Sequence, residues 1–375
     1  MNTDYKFERN QLLALAWVIL LAPALRLFPS ESAELAGRGA WLSALLAVLP
    51  LAPYVFFLSR FMDCRNNDEG LGELILRALG KRWAKAALTL FALWFALYAG
   101  FVLRSGAERF ITTVYPNSSP EVFELVLGVI SLIAALGPPR SLVRVAKMVL
   151  PLVLGVMLLV LLSALGSVDA DNILPLSDAD AVPVFLGVLP AVDVIAAVLY
   201  ITCFLEGSSQ KKPGHFRAYF LWAALACLML SFISFDLMGA FGPELTAKLT
   251  RPFFSLVRNL VFFRTLERVE ALVVSLWVFP DFLMTALLIY LSQLCLRLAW
   301  CSEAHYKGEK FSDVSGGRFL IWLCGTAGII CSIFIGSDST AMSRWSDRII
   351  PLVNMSFALV VLPIIFAVGK IKKRL

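Results

Sequence analysis

Long apolar runs and short polar breaks alternate along the whole chain. Ten runs approach the roughly 20 residues that a helix needs to cross the hydrocarbon core of a bilayer. They cover 11–30, 40–61, 86–114, 121–136, 145–166, 181–206, 216–241, 266–297, 317–336 and 348–368. Two are interrupted. Pro23 falls near the middle of the first, between Ala22 and Ala24, and the sixth contains Pro190-Ala191-Val192-Asp193. A proline inside a helix lacks an amide hydrogen and crowds the preceding turn. In hydrocarbon the freed backbone groups persist only against protein or a polar cavity. Interruptions at matching places in two halves are the sequence pattern of a transporter-type binding site. Taken singly, a proline in a membrane helix is more often a packing kink than a site; the reading rests on the interruption occurring twice.

Five runs lie before Gly166 and five after Asp180. Five is odd, so the second half starts on the opposite side of the membrane and is inverted. The expected fold is all-α: one membrane domain of ten transmembrane helices in two inverted repeats, 1–166 and 181–368, with helices one and six broken and adjacent at its centre. Residues 72–80 read as a short amphipathic helix closed by Gly80. Residues 242–265 have room for one or two amphipathic helices on the outer face, and 369–375 form a basic tail.

Composition agrees with this pattern. The 375 residues are 59% hydrophobic and 16% charged, with mean hydropathy +0.80, whereas soluble domains are about a quarter charged. The N-terminal MNTDYKFERN is polar, and the run after it has no small-residue cleavage site for a signal peptidase. The net charge of +6 gathers in alternate loops. Arg60, Arg65, Arg77, Lys81, Arg82 and Lys85 fall in one, Lys211 and Lys212 in another, Lys307 and Lys310 in a third, and Lys370, Lys372, Lys373 and Arg374 in the tail. The opposite loop 166–180 carries Asp169, Asp171, Asp178 and Asp180 and no Lys or Arg. This asymmetry places both termini in the cytoplasm and accounts for the positive charge without a nucleic acid. The exception is the outer loop 242–265, with Lys248, Arg251, Arg258 and Arg264.

Charged residues within spans are functional candidates. Arg104 and Glu108 stand four apart on one helix face, as an ion pair that fixes packing or as a gating element. Asp193 follows the second proline, with Tyr200 two turns on; it is placed to meet a cationic group or a proton, or to sit hydrated in a vestibule. Asp281, after Pro280, is the most deeply placed carboxylate, with Arg26 or Arg104 as candidate partners. Asp236 and the Glu267-Arg268-x-Glu270 cluster fall near the outer ends of their spans. The seven cysteines show no C-x-x-C spacing, and His215 and His305 are the only histidines, so neither a metal site nor a cofactor is expected. No G-x-S-x-G, H-E-x-x-H or Walker sequence is present, which argues against an enzyme.

The stretch Phe241 to Trp277 is the most distinctive. Its Pro243-Glu244, the P-x-x-S-L run from Pro252 to Leu256 and the ER-x-E cluster ahead of Trp277 resemble the endospore germination permeases, the B subunits of spore nutrient-germinant receptors. Arg104-x-x-x-Glu108, Asp171-Asn172-Ile173-Leu174-Pro175, Gly37-Arg38 with Ala40-Trp41, and Lys211-Lys212 are also similar. These permeases belong to the amino acid–polyamine–organocation transporter superfamily. The resemblance implies a LeuT-like inverted repeat in the spore inner membrane, partnered by an A-type membrane subunit and a C-type lipoprotein. It also implies recognition of a small amino acid or similar nutrient at the midplane. The carboxylate would meet unpaired backbone amides in the stretch Ala22-Pro23-Ala24-Leu25, in which Pro23 makes the break and has no N–H of its own to donate, and the ammonium would lie near Asp193 and Tyr200. Arg104, Glu108 and Asp281 would then be gating or ion-pair residues. Two features depart from the family: helix one reads Ala22-Pro23-Ala24 where a glycine is usual, and Val198-Leu199-Tyr200 stands near the place of a glycine-glutamate element in helix six. A proton-coupled amino-acid carrier using Asp281 or Glu108, and a structural subunit without a ligand, are the competing readings.

Overall fold

The computed structural model describes residues 9–26, 28–66, 69–113, 118–174, 176–177, 180–205, 215–259, 269–300, 316–336 and 339–375, and every regular element among them is helical. Lys6, Asp178, Lys211, Lys212, Arg264, Glu267, Arg268, Cys301, His305, Lys307 and Lys310 lie outside the described residues. Eight helical segments among the described residues are long and apolar enough to cross a membrane. The first and fourth expected spans are represented by shorter helices of 16 and 17 residues.

The first run is broken. Helix α1 covers Arg9–Ala24 and α2 covers Phe28–Ala36. Pro23 lies inside the last turn of α1, and the Arg26 amide donates to the Pro23 carbonyl at 3.2 Å, so the chain leaves the helix through a tight turn. None of the described residues from Ala22 to Arg26 takes a positive φ. Alanine and proline therefore suffice where a left-handed turn would have called for glycine.

The second span is α3, Ala40–Leu46, followed by α4, Val48–Asp63. The short amphipathic helix is α5, Leu71–Leu79. The Glu73 carboxylate caps its start by accepting from the Gly70 amide at 3.0 Å, and Gly80 closes it at φ +74°. Helix α6, Lys81–Thr113, is the longest, at 33 residues. Helices α7, Pro120–Leu136, and α8, Pro139–Ala164, complete the first half. In the loop after α8, Asp180 accepts from the backbone amide and the hydroxyl of Ser177 at 2.7 and 2.9 Å; these bonds hold its carboxyl below the usual range.

The sixth run departs from expectation. Helix α9, Ala181–Leu186, gives way at Gly187 to α10, Val188–Cys203, which runs unbroken through Pro190 and Asp193. Pro190 sits in the first turn of α10, where its missing amide has no helical acceptor to lose. The interruption is thus at Gly187, three residues earlier than Pro190. A side chain at Gly187 would run into Ala36 and Ser43. Nearly every residue of α10 is buried, and α1 packs directly against it, so the first and sixth runs do meet at the centre.

Helices α11, His215–Phe241, α12, Pro243–Lys248, and α13, Pro252–Asn259, follow. The last two occupy the expected outer loop; α13 turns Phe253, Phe254, Leu256 and Val257 inward. Helix α14, Val269–Trp300, lies along α6, and both pack against α15, Gly316–Ile335. The final run comprises α16, Ser339–Arg344, α17, Ile350–Ser356, and α18, Leu362–Ile371, joined by one π-helical turn at Trp345–Ile349 and another at Phe357–Val361. Between these helices an aromatic core forms, with Phe91 4.4 Å from Phe357 and 5.3 Å from Phe204 between ring centroids. The face that carries α5 and the tail is called the basic face below.

Gly100 lies at a close backbone-to-backbone crossing of α6 and α15. A Cβ there would stand 2.7 Å from the Gly328 carbonyl oxygen and 3.0 Å from the Ser332 amide nitrogen. Neither backbone atom can rotate away, so Gly100→Ala is expected to lower stability by about 1–3 kcal/mol, as overpacking does. Gly155, on the exposed side of α8, has nothing within 4 Å, and Gly155→Ala is expected to be neutral or mildly stabilising. Thermal unfolding of the two variants in one detergent checks this contrast; equal midpoints would refute the close crossing.

Candidate functional site

Three polar groupings surround the break of helix one. The first is a charged network in which α6 supplies Arg104 and Glu108. Arg104 Nε donates to Glu108 Oε1 at 3.0 Å, the expected pair. The same guanidinium donates to Glu124 of α7 at 2.8 Å, and Glu124 in turn accepts from the Ser332 hydroxyl of α15 at 2.8 Å. On its other side Glu108 meets Arg251, between α12 and α13, at 3.4 Å, and Arg26 at 4.0 Å. Arg251 also donates to the Glu108 carbonyl at 2.9 Å. One carboxylate therefore joins the turn after α1, the middle helix α6 and the loop helices of the opposite face.

The second grouping is the Arg109–Asp281 ion pair, both members buried. This corrects the expectation that Arg26 or Arg104 would pair with Asp281. Arg104 and Arg109 are five residues apart, about 140° around the helix; Arg104 points to α7 and Arg109 to α14. Gly106 lets the α6 backbone approach, since a Cβ there would lie 2.9 Å from Asp281 Oδ2. Asp281 also lines a void of about 10 Å³ beside the break, together with Ala22, Pro23, Arg26, Tyr98 and Ser105.

The third grouping centres on Asn354 of α17, which is buried. Its Oδ1 accepts from Trp94 Nε1 at 3.1 Å and from the Tyr200 hydroxyl at 3.2 Å. Asp193 lies beside it, as does Tyr98, whose ring also lines the void. Asp193 Oδ1 and Asn354 Nδ2 have no hydrogen-bond partner among the described residues. Asn354 stands between the two π-helical turns; such turns concentrate at functional positions.

Of the residues singled out by sequence, Ala22, Pro23 and Asp281 come together at the void. Asp193 and Tyr200 gather next to it around Asn354, and Arg104 and Glu108 reach it through Arg26. Ala24 and Leu25 are buried in the core and do not line the void. Sequence reading missed Arg109, Glu124, Arg251 and Asn354 as members of the site. Glu124 carried a weak signal, a carboxylate three residues into the apolar run 121–136.

Beyond the break, on the face opposite the basic one, an open pocket of about 150 Å³ is bounded by α2, α12 and the start of the last run. Arg26, Glu31, Glu34, Lys248 and Asp347 supply its charges. Arg26 lines this pocket and the inner void alike, and packs its guanidinium over Phe101 at 5.4 Å.

A helix broken beside buried polar groups is the architecture of small-solute recognition, and comparison with known proteins gives it a family. Residues 6–298 match the family described as spore germination protein. The chain belongs to that family. Within it, spore germination protein KB of Bacillus subtilis (strain 168) is 23% identical over 290 residues, 75% of each chain. YfkT of the same strain is 23% identical over 266 residues, 69% of this chain and 70% of its own. Among solved structures, Mhp1, a nucleobase-cation-symport-1 family transporter in a closed conformation with bromovinylhydantoin bound, aligns with a TM-score of 0.60. That alignment has 11% identity and covers 89% of this chain and 76% of Mhp1. The chain thus shares a transporter's fold, and it is a multi-pass membrane protein.

The network makes a specific stability prediction for this spore germination protein. Glu124 is 1% exposed and takes its charge partner from Arg104. Arg104→Met should lower stability by about 3–5 kcal/mol, the effect of leaving a buried charge alone. Adding Glu108→Gln should not recover it, because Glu124 stays orphaned. Adding Glu124→Met should recover most of it. Thermal unfolding of the single and the two double variants measures the three; recovery by Glu108→Gln instead would contradict the assignment of Glu124 as the dependent charge.

Proposed function

We propose that this protein is the nutrient-sensing membrane subunit of a spore germinant receptor. It binds a small amino acid at the break of helix one and works with an A-type membrane subunit and a C-type lipoprotein in the spore inner membrane. Ten crossings in two inverted halves carry the site, with the basic face and both termini cytoplasmic. The observation that carries the binding reading is the buried polar cluster of Asp193, Asn354 and Tyr200 next to the break, in which Asp193 and Asn354 face each other while Asp193 Oδ1 and Asn354 Nδ2 make no well-formed hydrogen bond among the described residues. Buried polar atoms are almost always paired, and an ammonium and a carboxylate entering between them would complete this acceptor and this donor. Tyr98 links them to the void at Pro23.

A void of about 10 Å³ holds no more than a water molecule. The geometry therefore corresponds to a closed state, in which Arg26 separates the inner void from the outer pocket. Binding requires α2 to swing about the turn at Leu25 and Arg26, drawing Arg26 away from Glu108. In this reading Arg104 and Glu108 hold the closed state and do not touch the ligand.

A proton-coupled carrier is the second reading, favoured by the fold shared with Mhp1. Against it, Asp281 is paired with Arg109 and Glu108 with three arginines, so neither stands unpartnered as a proton carrier would. A structural subunit without a ligand is the third.

Binding and uptake separate the three. Purified protein screened against an amino-acid panel by calorimetry should bind at least one, and Asp193→Asn should weaken that binding by about 10- to 100-fold, the worth of one charged hydrogen bond. Proteoliposomes should accumulate none of it. Accumulation would establish a carrier, and absence of binding across the panel would leave the structural subunit.

A further inference from the structure

A second concavity lies far from the helix-one break, on the basic face. It is a lateral groove of about 490 Å³ between the end of α4 and the end of α18, lined by Phe56, Phe57, Arg60, Asp63, Phe366 and Lys370, with Cys64 at its edge. Its walls are aromatic. The rings of Phe57 and Phe366 meet edge to face at 5.6 Å, and Phe56 is 51% exposed. Its rim is cationic. Arg60 lies 5.2 Å from the Phe56 ring and Lys370 5.6 Å from the Phe366 ring, and neither has a carboxylate partner among the described residues. Asp63, the acidic member, has His215 at 4.0 Å.

The groove sits at the level of the membrane surface. On the same face Trp83 and Trp300 are 67% and 64% exposed, and Lys85 lies 3.5 Å over the Trp300 ring. Exposed tryptophans with lysines mark the headgroup layer of a bilayer. An aromatic slot at that level, whose mouth holds Arg60 and Lys370 against the single carboxylate Asp63, is complementary to a molecule with an anionic head and apolar tails. A soluble anion would leave the aromatic walls uncovered, and a zwitterionic lipid would bring a further cation to a mouth that is already net positive.

We propose that this groove binds one anionic phospholipid, its phosphate held between Arg60 and Lys370 and its acyl chains laid along Phe56, Phe57 and Phe366. The lipid bridges the second span to the last, and the last is the run that carries Asn354. Basic pockets between membrane helices on a cytoplasmic face are suited to such headgroups, each Lys or Arg near the surface contributing about a fivefold gain in affinity.

The test uses full-length protein in a zwitterionic detergent. Phosphatidylglycerol, phosphatidylcholine or inorganic phosphate is titrated in, the unfolding midpoint is followed, and retained lipids are counted by native mass spectrometry. Phosphatidylglycerol should raise the midpoint saturably and be retained at one copy per chain, with no comparable effect of the other two. Lys370→Gln, at an exposed position near the end of the last helix, should shift the titration about fivefold; Arg60→Gln with Lys370→Gln should abolish it, and Arg60→Lys with Lys370→Arg should keep it. Equal stabilisation by phosphatidylcholine, an equal effect of inorganic phosphate, or an unchanged titration in Lys370→Gln would overturn the proposal. So would a groove that retains no lipid and in which Cys64 is shielded from thiol reagents only at concentrations where the chain self-associates.

Discussion

A charge in the apolar interior of a membrane protein must have a partner there. In this chain that constraint bears hardest on Glu108. It sits on the longest helix and meets Arg104 on its own helix, Arg251 beside the loop helices and Arg26 in the turn that breaks helix one. Glu124 repeats the pattern one layer out, held by Arg104 and Ser332. Buried ion pairs are poor sources of net stability, because desolvation offsets their attraction. Their effect here is positional: a broken helix, which has lost backbone hydrogen bonds, is held at a defined angle because moving it would separate charges in a medium that barely screens them.

This places two kinds of strength side by side. The contacts of α10 with α1 and of α6 with α15 are close-packed, with Gly100 admitting the α15 backbone, and Gly106 lets α6 close on Asp281 of α14. The turn at Leu25–Arg26, by contrast, is tied to the charged network through one ion pair among the described residues, Arg26 to Glu108 at 4.0 Å, and through Arg26 over Phe101. In the proposed opening, α2 moves together with α12, against which it packs, while Asp193 and Asn354 stay in the buried interior.

Much of this was legible in the residues. The apolar runs gave the helical membrane fold, the glycine after Leu79 gave the end of α5, and Pro23 marked the break in helix one to within two residues. Pro190 misled, because a proline signals a break only when its amide would have been used; at the start of α10 it would not have been. Gly187, the actual interruption, is an ordinary residue in an apolar run, and only the close approach of Ala36 and Ser43 shows why it must be glycine. The i, i+4 spacing revealed Arg104 and Glu108. The pairing of Arg109 with Asp281 joins residues 172 apart in sequence, and the Asn354 cluster joins three helices; single-chain periodicity carries no signal for either. The extra partner Glu124 stands near the start of its run, where the residues alone do not mark it as buried, and which arginine it meets depends on how α7 leans against α6.

The central claim is that Glu108 joins the turn of the broken first helix and the loop helices to α6. Amide hydrogen exchange in Glu108→Gln tests it most directly. The account predicts faster exchange at residues 24–36 and 243–259, with α10 and the middle of α6 unchanged from wild type. Unchanged exchange at 24–36, or an increase spread evenly over every helix, would contradict it.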